Sequence, residues 1–216
     1  MMRRAWLAAV LMGAGTWAFT GAPSRAAAAD AESGAALFAA KQCVRCHVPR
    51  SERGPGPALE ELRRPQGAME LAGRLWNHVP AMAGMLAQRG FDWPSISASE
   101  MGNLMAYLQG DALRDARPDL DKGQVILLRK NCLKCHSLRR EGGRVEPDLA
   151  ERRADYESAS AWASAMWTHT PRMAAMASRM GVAYPRFAGD EMGNLVGFLR
   201  EAATAPPRGA GGVPKR

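Results

Sequence analysis

The most informative stretches of the sequence are Cys43-Val44-Arg45-Cys46-His47 and Cys132-Leu133-Lys134-Cys135-His136. Each contains two cysteines separated by two residues and followed at once by a histidine. Together the two stretches use all four cysteines of the chain. A zinc site or a redox-active C-x-x-C pair would fit part of this spacing. A zinc site fits less well in an exported protein, whose compartment is oxidising. A redox pair does not explain the histidine after each motif, and the strand–helix alternation of thioredoxin-like proteins is missing.

The C-x-x-C-H pattern is the signature of covalent haem c attachment. In such a site two thiols add across the vinyl groups of the porphyrin, and the neighbouring imidazole binds the iron. We therefore predict two haem c groups as cofactors. The residues predicted to attach them and to supply the proximal iron ligands are Cys43, Cys46 and His47, and Cys132, Cys135 and His136.

The first 29 residues have the three parts of a secretory signal peptide. Arg3 and Arg4 precede an apolar run over residues 5–19, and four alanines follow at 26–29. We expect cleavage after Ala29 and a periplasmic protein that is not integral to the membrane, because the apolar run is short for a bilayer span. The alternative is an uncleaved N-terminus that tethers the protein to the membrane.

Composition and charge exclude several classes of protein. The chain has 216 residues, of which 47% are hydrophobic, so it suits one ordinary domain or two small ones and not a fibrous repeat. Its net charge is +8, which falls to +5 when the three arginines of the signal segment are removed. We expect no nucleic-acid partner, because the protein is exported. The Pro/Gly-rich basic segment 205–216 predicts a disordered tail.

The two motifs belong to an internal duplication. Their first cysteines lie 89 residues apart, and the segments 76–108 and 167–199 align at an offset of 91 with 14 of 33 positions identical. We therefore expect two versions of one domain, at 30–112 and 113–204, which we call unit 1 and unit 2. The connection between them is short and charged, which predicts a compact, two-lobed molecule.

Both units are predicted to be helical, so the expected fold class is all-α. Apolar stretches rich in alanine or leucine lead into each haem motif, at 33–41 and 122–130. The last predicted helices, 97–108 and 188–199, carry apolar residues at helical spacing, and capping residues come before them. No alternating strand pattern is present, and Gly/Pro-rich loops follow the haem motifs.

With these features each unit resembles a class I cytochrome c domain, and the resemblance covers nearly all of residues 30–204. It implies that a glycine of the first helix crosses the last helix closely, Gly34 near Tyr107 and Gly123 near Phe198. It also implies that a proline carbonyl accepts a hydrogen bond from the proximal histidine. That stretch reads Gly56-Pro57-Ala58-Leu59 in unit 1, whereas Glu146-Pro147-Asp148-Leu149 in unit 2 lacks the glycine.

The distal iron ligand departs from the family pattern. Class I domains usually place a methionine shortly before the last helix, but the segments 91–94 and 182–185 contain none. Candidates lie instead in a duplicated His-x-Pro-x-Met-x-x-Met stretch, whose His and two Met share one face if a helix begins at the proline. We favour Met82 and Met173, held in a loop or first turn by the preceding proline. The alternatives, in order, are His78 and His169, then Met85 and Met176, then an open iron site.

The ligand choice separates two functions. A six-coordinate iron suits electron transfer, whereas an open or displaceable site admits a small molecule to the iron. We expect a periplasmic dihaem cytochrome that carries single electrons between redox partner proteins, alone or as a subunit of a respiratory complex, and not an enzyme. The alternative is a dihaem oxidoreductase of the peroxidase or thiosulfate-oxidising kind. Trp76 and Trp167 are predicted to pack in the core, with indole contact to a haem propionate as the alternative.

Overall fold

The structure is a computed structural model that describes residues 28–204. All but the last two residues of the predicted signal peptide, and the whole predicted basic tail, lie outside the described residues. The described part is mostly helical. Its α-helices are α1 Ala31–Ala40, α2 Leu59–Leu62, α3 Ala68–Gln88, α4 Ala98–Tyr107, α5 Leu120–Arg129, α6 Ala159–Arg179 and α7 Glu191–Thr204.

Two very short strand pairs accompany the helices, which the all-α prediction did not include. The parallel pair joins β1 Gln66–Gly67 to β2 Gly110–Asp111, and the antiparallel pair joins β3 Ser137–Leu138 to β4 Glu141–Gly142. Two-residue strands carry too little periodicity to be recognised in a sequence. None of the helices within residues 28–204 has the length and apolar character needed to cross a membrane.

The first and last helices of each unit pack tightly at a glycine, as predicted. A Cβ on Gly34 would lie 2.7 Å from the Cβ of Tyr107, and one on Gly123 would lie 2.6 Å from the Cβ of Phe198. Each added Cβ would also collide with a backbone carbonyl of the facing helix, that of Asn103 or Asn194. Only glycine allows two helix backbones to approach so closely. These crossings, α1 on α4 and α5 on α7, support the haem motifs that follow α1 and α5.

The prediction that a helix starts at the duplicated prolines is wrong. Pro80 and Pro171 lie inside α3 and α6, each 21 residues long, so Met82 and Met173 lie within a continuous helix and not in a loop or first turn. A proline inside a helix leaves the carbonyl four residues earlier without its N–H donor. Here tertiary donors replace the lost bond.

The two units share one continuous hydrophobic core instead of forming separate lobes. The long helix α3 packs against α6, and α4 also contacts α6. The segment between the units is tied down at unit 1, because β2 pairs with β1 and the Oδ1 of Asp115 accepts a hydrogen bond from the N–H of Met69 at 2.9 Å. A short, anchored connection keeps the paired helices together.

Candidate functional site

Each C-x-x-C-H motif forms a 3-10 turn directly after the first helix of its unit, over Cys43–Arg45 and Cys132–Lys134. The residue before each turn, Gln42 or Asn131, has a left-handed backbone with φ of 63° or 60°, which ends the helix and turns the cysteines toward the protein interior. All four cysteines are free of disulfides. Burial raises the pKa of the first thiol in each motif to about 11, so these thiols are protonated at neutral pH.

The predicted proximal histidines, His47 and His136, are oriented alike in both units. The Nδ1 of His47 lies 3.1 Å from the carbonyl oxygen of Pro57, and the Nδ1 of His136 lies 2.9 Å from that of Pro147. With its proton on Nδ1, each ring donates to the carbonyl and keeps the lone pair of Nε2 for a metal. The hydrogen bond expected for unit 1 is thus present, and it is present in unit 2 without the glycine.

Each proximal histidine borders a largely apolar cavity of matched size. The unit 1 cavity has a volume of about 260 Å³ and the unit 2 cavity about 250 Å³. Both are lined by the first cysteine of the haem motif, the proximal histidine, residues of the last helix and residues of the long helix. A flat apolar cofactor attached through the cysteines would therefore lie between the haem motif and the long helix.

The distal candidates all lie on the long helices, but they differ in their relation to the cavities. His78 and Met82 line the unit 1 cavity, whereas Met85 is 37% exposed and does not. His169, Met173 and Met176 all line the unit 2 cavity. His78 is exposed overall although it borders the cavity, while His169 is half-buried.

His169 faces the proximal histidine of its unit. The ring centroids of His136 and His169 are 6.0 Å apart, and the Nε2 of His169 is buried without a hydrogen-bond partner. A buried ring nitrogen without a partner is costly unless a ligand or metal satisfies it. Burial, followed by the nearby His136, lowers the pKa of His169, so its imidazole is neutral at pH 7 and has a lone pair to offer.

A tryptophan of each unit lines the cavity of the other unit, which the sequence did not predict. Trp167 of unit 2 borders the unit 1 cavity, and Trp76 of unit 1 borders the unit 2 cavity. Both are buried, as predicted, but their indole N–H groups donate across the units, to the carbonyls of Pro94 and Pro185, at 2.7 Å each. The one available signal was that both tryptophans stand two residues before a candidate histidine.

Charged groups differ between the two cavities. Arg74 borders the unit 1 cavity and is held at 2.5 Å by the side-chain oxygen of Gln66. Its pKa is lowered, first by burial and then by Arg64. In unit 2 the carboxylate of Glu146 pairs with Arg172 at 3.0 Å beside the cavity. The two sites therefore offer similar apolar walls with different charge arrangements.

These residues fit a covalently attached haem. The thiols are free, the imidazole of His136 is oriented by a backbone carbonyl, the cavity is largely apolar, and in unit 2 the ring of His169, whose Nε2 has no hydrogen-bond partner, lies 6.0 Å from that of His136. Within residues 28–204 no three His, Cys, Asp or Glu side chains cluster as they would around a bare metal ion. Two imidazoles near one another, as in unit 2, are a donor set that a porphyrin iron would accept.

Comparison with known proteins gives one match. The family model described as Cytochrome c matches residues 120–203, which is almost the whole of unit 2 and includes its haem motif, long helix and last helix. Searches of curated proteins and of solved structures found no match. The family match supports residues 120–203 as a c-type cytochrome domain, with the covalently bound haem c and the electron-transfer role that this family implies.

Proposed function

We propose that this protein is a periplasmic dihaem c-type cytochrome that passes single electrons between redox partner proteins, with units 1 and 2 as its two haem domains. The observation that carries this proposal is the repetition of one complete site: free cysteines, an oriented proximal imidazole and an apolar cavity occur in both units. A bound haem would supply one-electron chemistry at its iron. The protein's part is to fix the axial ligands and to exclude water.

We further propose His169, and by the shared spacing His78, as the distal ligands in preference to the methionines. Metal–imidazole bonds are about 2 Å long, so two imidazoles on opposite sides of one metal ion have ring centroids about 6 Å apart. The separation of 6.0 Å between His136 and His169 agrees with this arrangement. The unpartnered Nε2 of His169 supports it independently, because coordination would satisfy that atom.

Met82 and Met173 remain the alternative distal ligands. Each lies four residues after the histidine on the same helix, hence one turn away on the same face, and each borders its cavity. Two imidazoles lower the reduction potential relative to imidazole and thioether. Ligation by histidine therefore predicts two low-potential haems.

The haem count tests the function directly. Protein matured in a periplasm that attaches haem c should have a mass equal to the polypeptide plus two haems, and should titrate with two one-electron steps. Replacing both cysteines of one motif with alanine, in unit 1 or in unit 2, should each time remove one haem. A colourless protein without added mass would refute the proposal.

The ligand assignment is tested by paired variants on one helix. His169→Ala should convert the unit 2 iron to a form that binds carbon monoxide or cyanide readily, while Met173→Leu should leave the resting spectrum unchanged. A red methionine-to-iron absorption band that disappears in Met173→Leu would instead assign the methionine. Rapid cyanide or carbon monoxide binding by the unmodified protein would favour the dihaem oxidoreductase over the carrier.

A further inference from the structure

The two units are joined by a reciprocal set of contacts that we call the crossed clasp, made by Trp76, Trp167, Trp93-Pro94 and Tyr184-Pro185. The indole of Trp76 donates to the carbonyl of Pro185, and the indole of Trp167 donates to that of Pro94. The aromatic rings also stack across the units. Trp93 lies 4.2 Å from Trp167 between ring centroids, and Tyr184 lies 5.5 Å from Trp76.

The prolines inside the long helices leave two backbone carbonyls, those of Trp76 and Trp167, free to accept the remaining hydrogen bonds of the clasp. Pro80 has no N–H for the carbonyl of Trp76, and the hydroxyl of Tyr184 donates to that carbonyl at 2.9 Å. Pro171 likewise releases the carbonyl of Trp167, which accepts the indole N–H of Trp93 at 3.0 Å. Each tryptophan is therefore held by the other unit at both its ring nitrogen and its backbone oxygen.

Helix geometry places the clasp and the iron ligands on opposite faces. Residues two apart on an α-helix differ in direction by about 200°. Trp76 and His78 therefore project from opposite sides of α3, and Trp167 and His169 from opposite sides of α6. This explains why each histidine borders the cavity of its own unit while each tryptophan borders the cavity of the other.

We propose that Trp76 and Trp167 are crossed positioning residues, each of which completes the haem site of the other unit and links it to the distal histidine of its own unit. This inference rests on the proposed dihaem function. The segments that carry the clasp, around Pro94 and Pro185, are those where class I domains usually place the distal methionine. In this protein they bind the neighbouring unit instead.

The arrangement provides a short route for electrons between the two haems. From His169 the chain passes through one residue to Trp167, whose ring borders the unit 1 cavity, and the same route runs from His78 to Trp76. In the exchange one electron leaves a ferrous centre and reaches a ferric centre. No bond forms or breaks and no proton moves, and the tryptophan stays in its resting state.

The test compares two tryptophans of the same helix in the full-length holoprotein. Trp167→Leu should shift the reduction potential of the unit 1 haem downward, because water entering its cavity favours the more highly charged ferric form. Trp162→Phe is the matched control, since Trp162 borders the cavity of its own unit, where its indole contacts the sulfur of Met192 at 3.1 Å. Trp162→Phe should shift the reduction potential of the unit 2 haem and not that of the unit 1 haem.

Nuclear magnetic resonance can report each haem separately. Haem methyl signals are assigned to unit 1 by proximity to Phe38 and to unit 2 by proximity to Tyr156, since these rings border the respective cavities. In half-reduced samples the width of these signals also reports electron exchange between the haems, which the double variant Trp76→Leu/Trp167→Leu should slow several-fold because it removes both routes. The double variant Trp76→Phe/Trp167→Phe keeps a ring at each site and should restore most of the exchange rate.

The outcomes separate this inference from the proposed function. A protein that carries two haems by mass, but in which Trp167→Leu shifts only the unit 2 haem, both haems equally or neither, contradicts the inference and leaves the function intact. Unchanged exchange in Trp76→Leu/Trp167→Leu contradicts the electron route. A protein without haem contradicts both proposals.

Discussion

In unit 1 the loop after the haem motif brings Gly56 against the proximal histidine, whereas in unit 2 Glu146 occupies the equivalent place. A Cβ on Gly56 would lie 2.8 Å from the ring of His47. In unit 2 the side chain of Glu146 pairs with Arg172, and the carbonyl of Pro147 still reaches His136. Both units thus keep the hydrogen bond to the proline carbonyl, while the side chains that hold the loop have diverged.

Unit 2 holds its loop with a carboxylate that unit 1 lacks. Asp148 accepts hydrogen bonds from the hydroxyl of Ser137 at 2.8 Å and from the backbone N–H groups of Arg139, Arg140 and Ala150 at 3.0, 2.6 and 2.8 Å. Both arginines have left-handed backbones, with φ of 53° and 68°. The residue after the proline in unit 1 is Ala58. A carboxylate thus stabilises a strained turn in one unit only.

The close crossing of the first and last helices is common to both units, and its disruption should cost the most stability. Gly34→Ala and Gly123→Ala should each destabilise the protein by about 3 kcal/mol, because the new Cβ meets backbone of the facing helix. Chemical denaturation of the holoprotein measures the change. Gly84→Ala is the control: this glycine lies inside α3 with open space around it, so alanine should stabilise by about 0.5–1 kcal/mol. A tolerated alanine at position 34 or 123 would show that the helix crossing is looser than described.

Asp148→Asn tests the carboxylate that only the unit 2 loop has. It should lower the free energy of unfolding by about 2 kcal/mol at pH 7, because charge-assisted hydrogen bonds are lost. Burial alone would raise the pKa of Asp148, but the hydrogen bonds from Arg140, Ala150 and Ser137 outweigh it and lower the pKa. The stabilisation is therefore present above the ordinary value of 3.8 and disappears as the pH falls through the lower, folded-state pKa.

Denaturation of wild type and Asp148→Asn at a series of pH values checks this dependence. The difference in the free energy of unfolding between the two proteins should be largest at pH 7 and should disappear in acid. A gap that stays constant down to acidic pH would show that the carboxylate charge is not the cause.

Gly56→Ala should disturb unit 1 alone, at a cost of about 1–2 kcal/mol, because the methyl group pushes against the ring of His47. The shift should appear in the spectrum and potential of the unit 1 haem. Glu146→Ala is the matched change in unit 2, and it should leave the His136–Pro147 hydrogen bond and the unit 2 spectrum nearly unchanged. Equal spectral effects in both units would show that position 146 contacts its histidine as closely as position 56 does.

The smallest effect concerns the start of the last helix. Ser97 caps α4, with its hydroxyl 3.3 Å from the N–H of Glu100, whose carboxylate in turn accepts the N–H of Ser97 at 2.8 Å. Ser97→Ala should cost about 1 kcal/mol in thermal or chemical unfolding, with the exposed Ser51→Ala as control. Unit 2 has Ala188 at the aligned position, so it already lacks this hydroxyl. If Ser97→Ala caused no loss of stability, the serine hydroxyl would not account for a stability difference between the two units.

The helices around each haem motif could be predicted because their signals are local. The cysteine motifs and the capping serine act through spacing within a few residues. The crossings at Gly34 and Gly123 and the bonds from His47 and His136 to proline carbonyls were instead implied by the resemblance to class I cytochrome c domains, and the structure confirms them. The interpretation of Pro80 and Pro171 as helix starts was wrong, because the donors that replace their missing N–H groups come from residues more than 70 positions away. No local pattern carries that information.

Two C-x-x-C-H motifs in two related, mostly helical halves could be recognised from residue types alone, since covalent chemistry and helix periodicity depend on residue type and short spacing. The shared core, the position of His169 opposite His136 and the crossing of Trp76 and Trp167 into the opposite cavities became visible in the folded chain. Hydrogen bonds and packing between distant segments depend on how the long helices α3 and α6 meet. That meeting satisfies carbonyls and indoles which each half alone would leave unpaired.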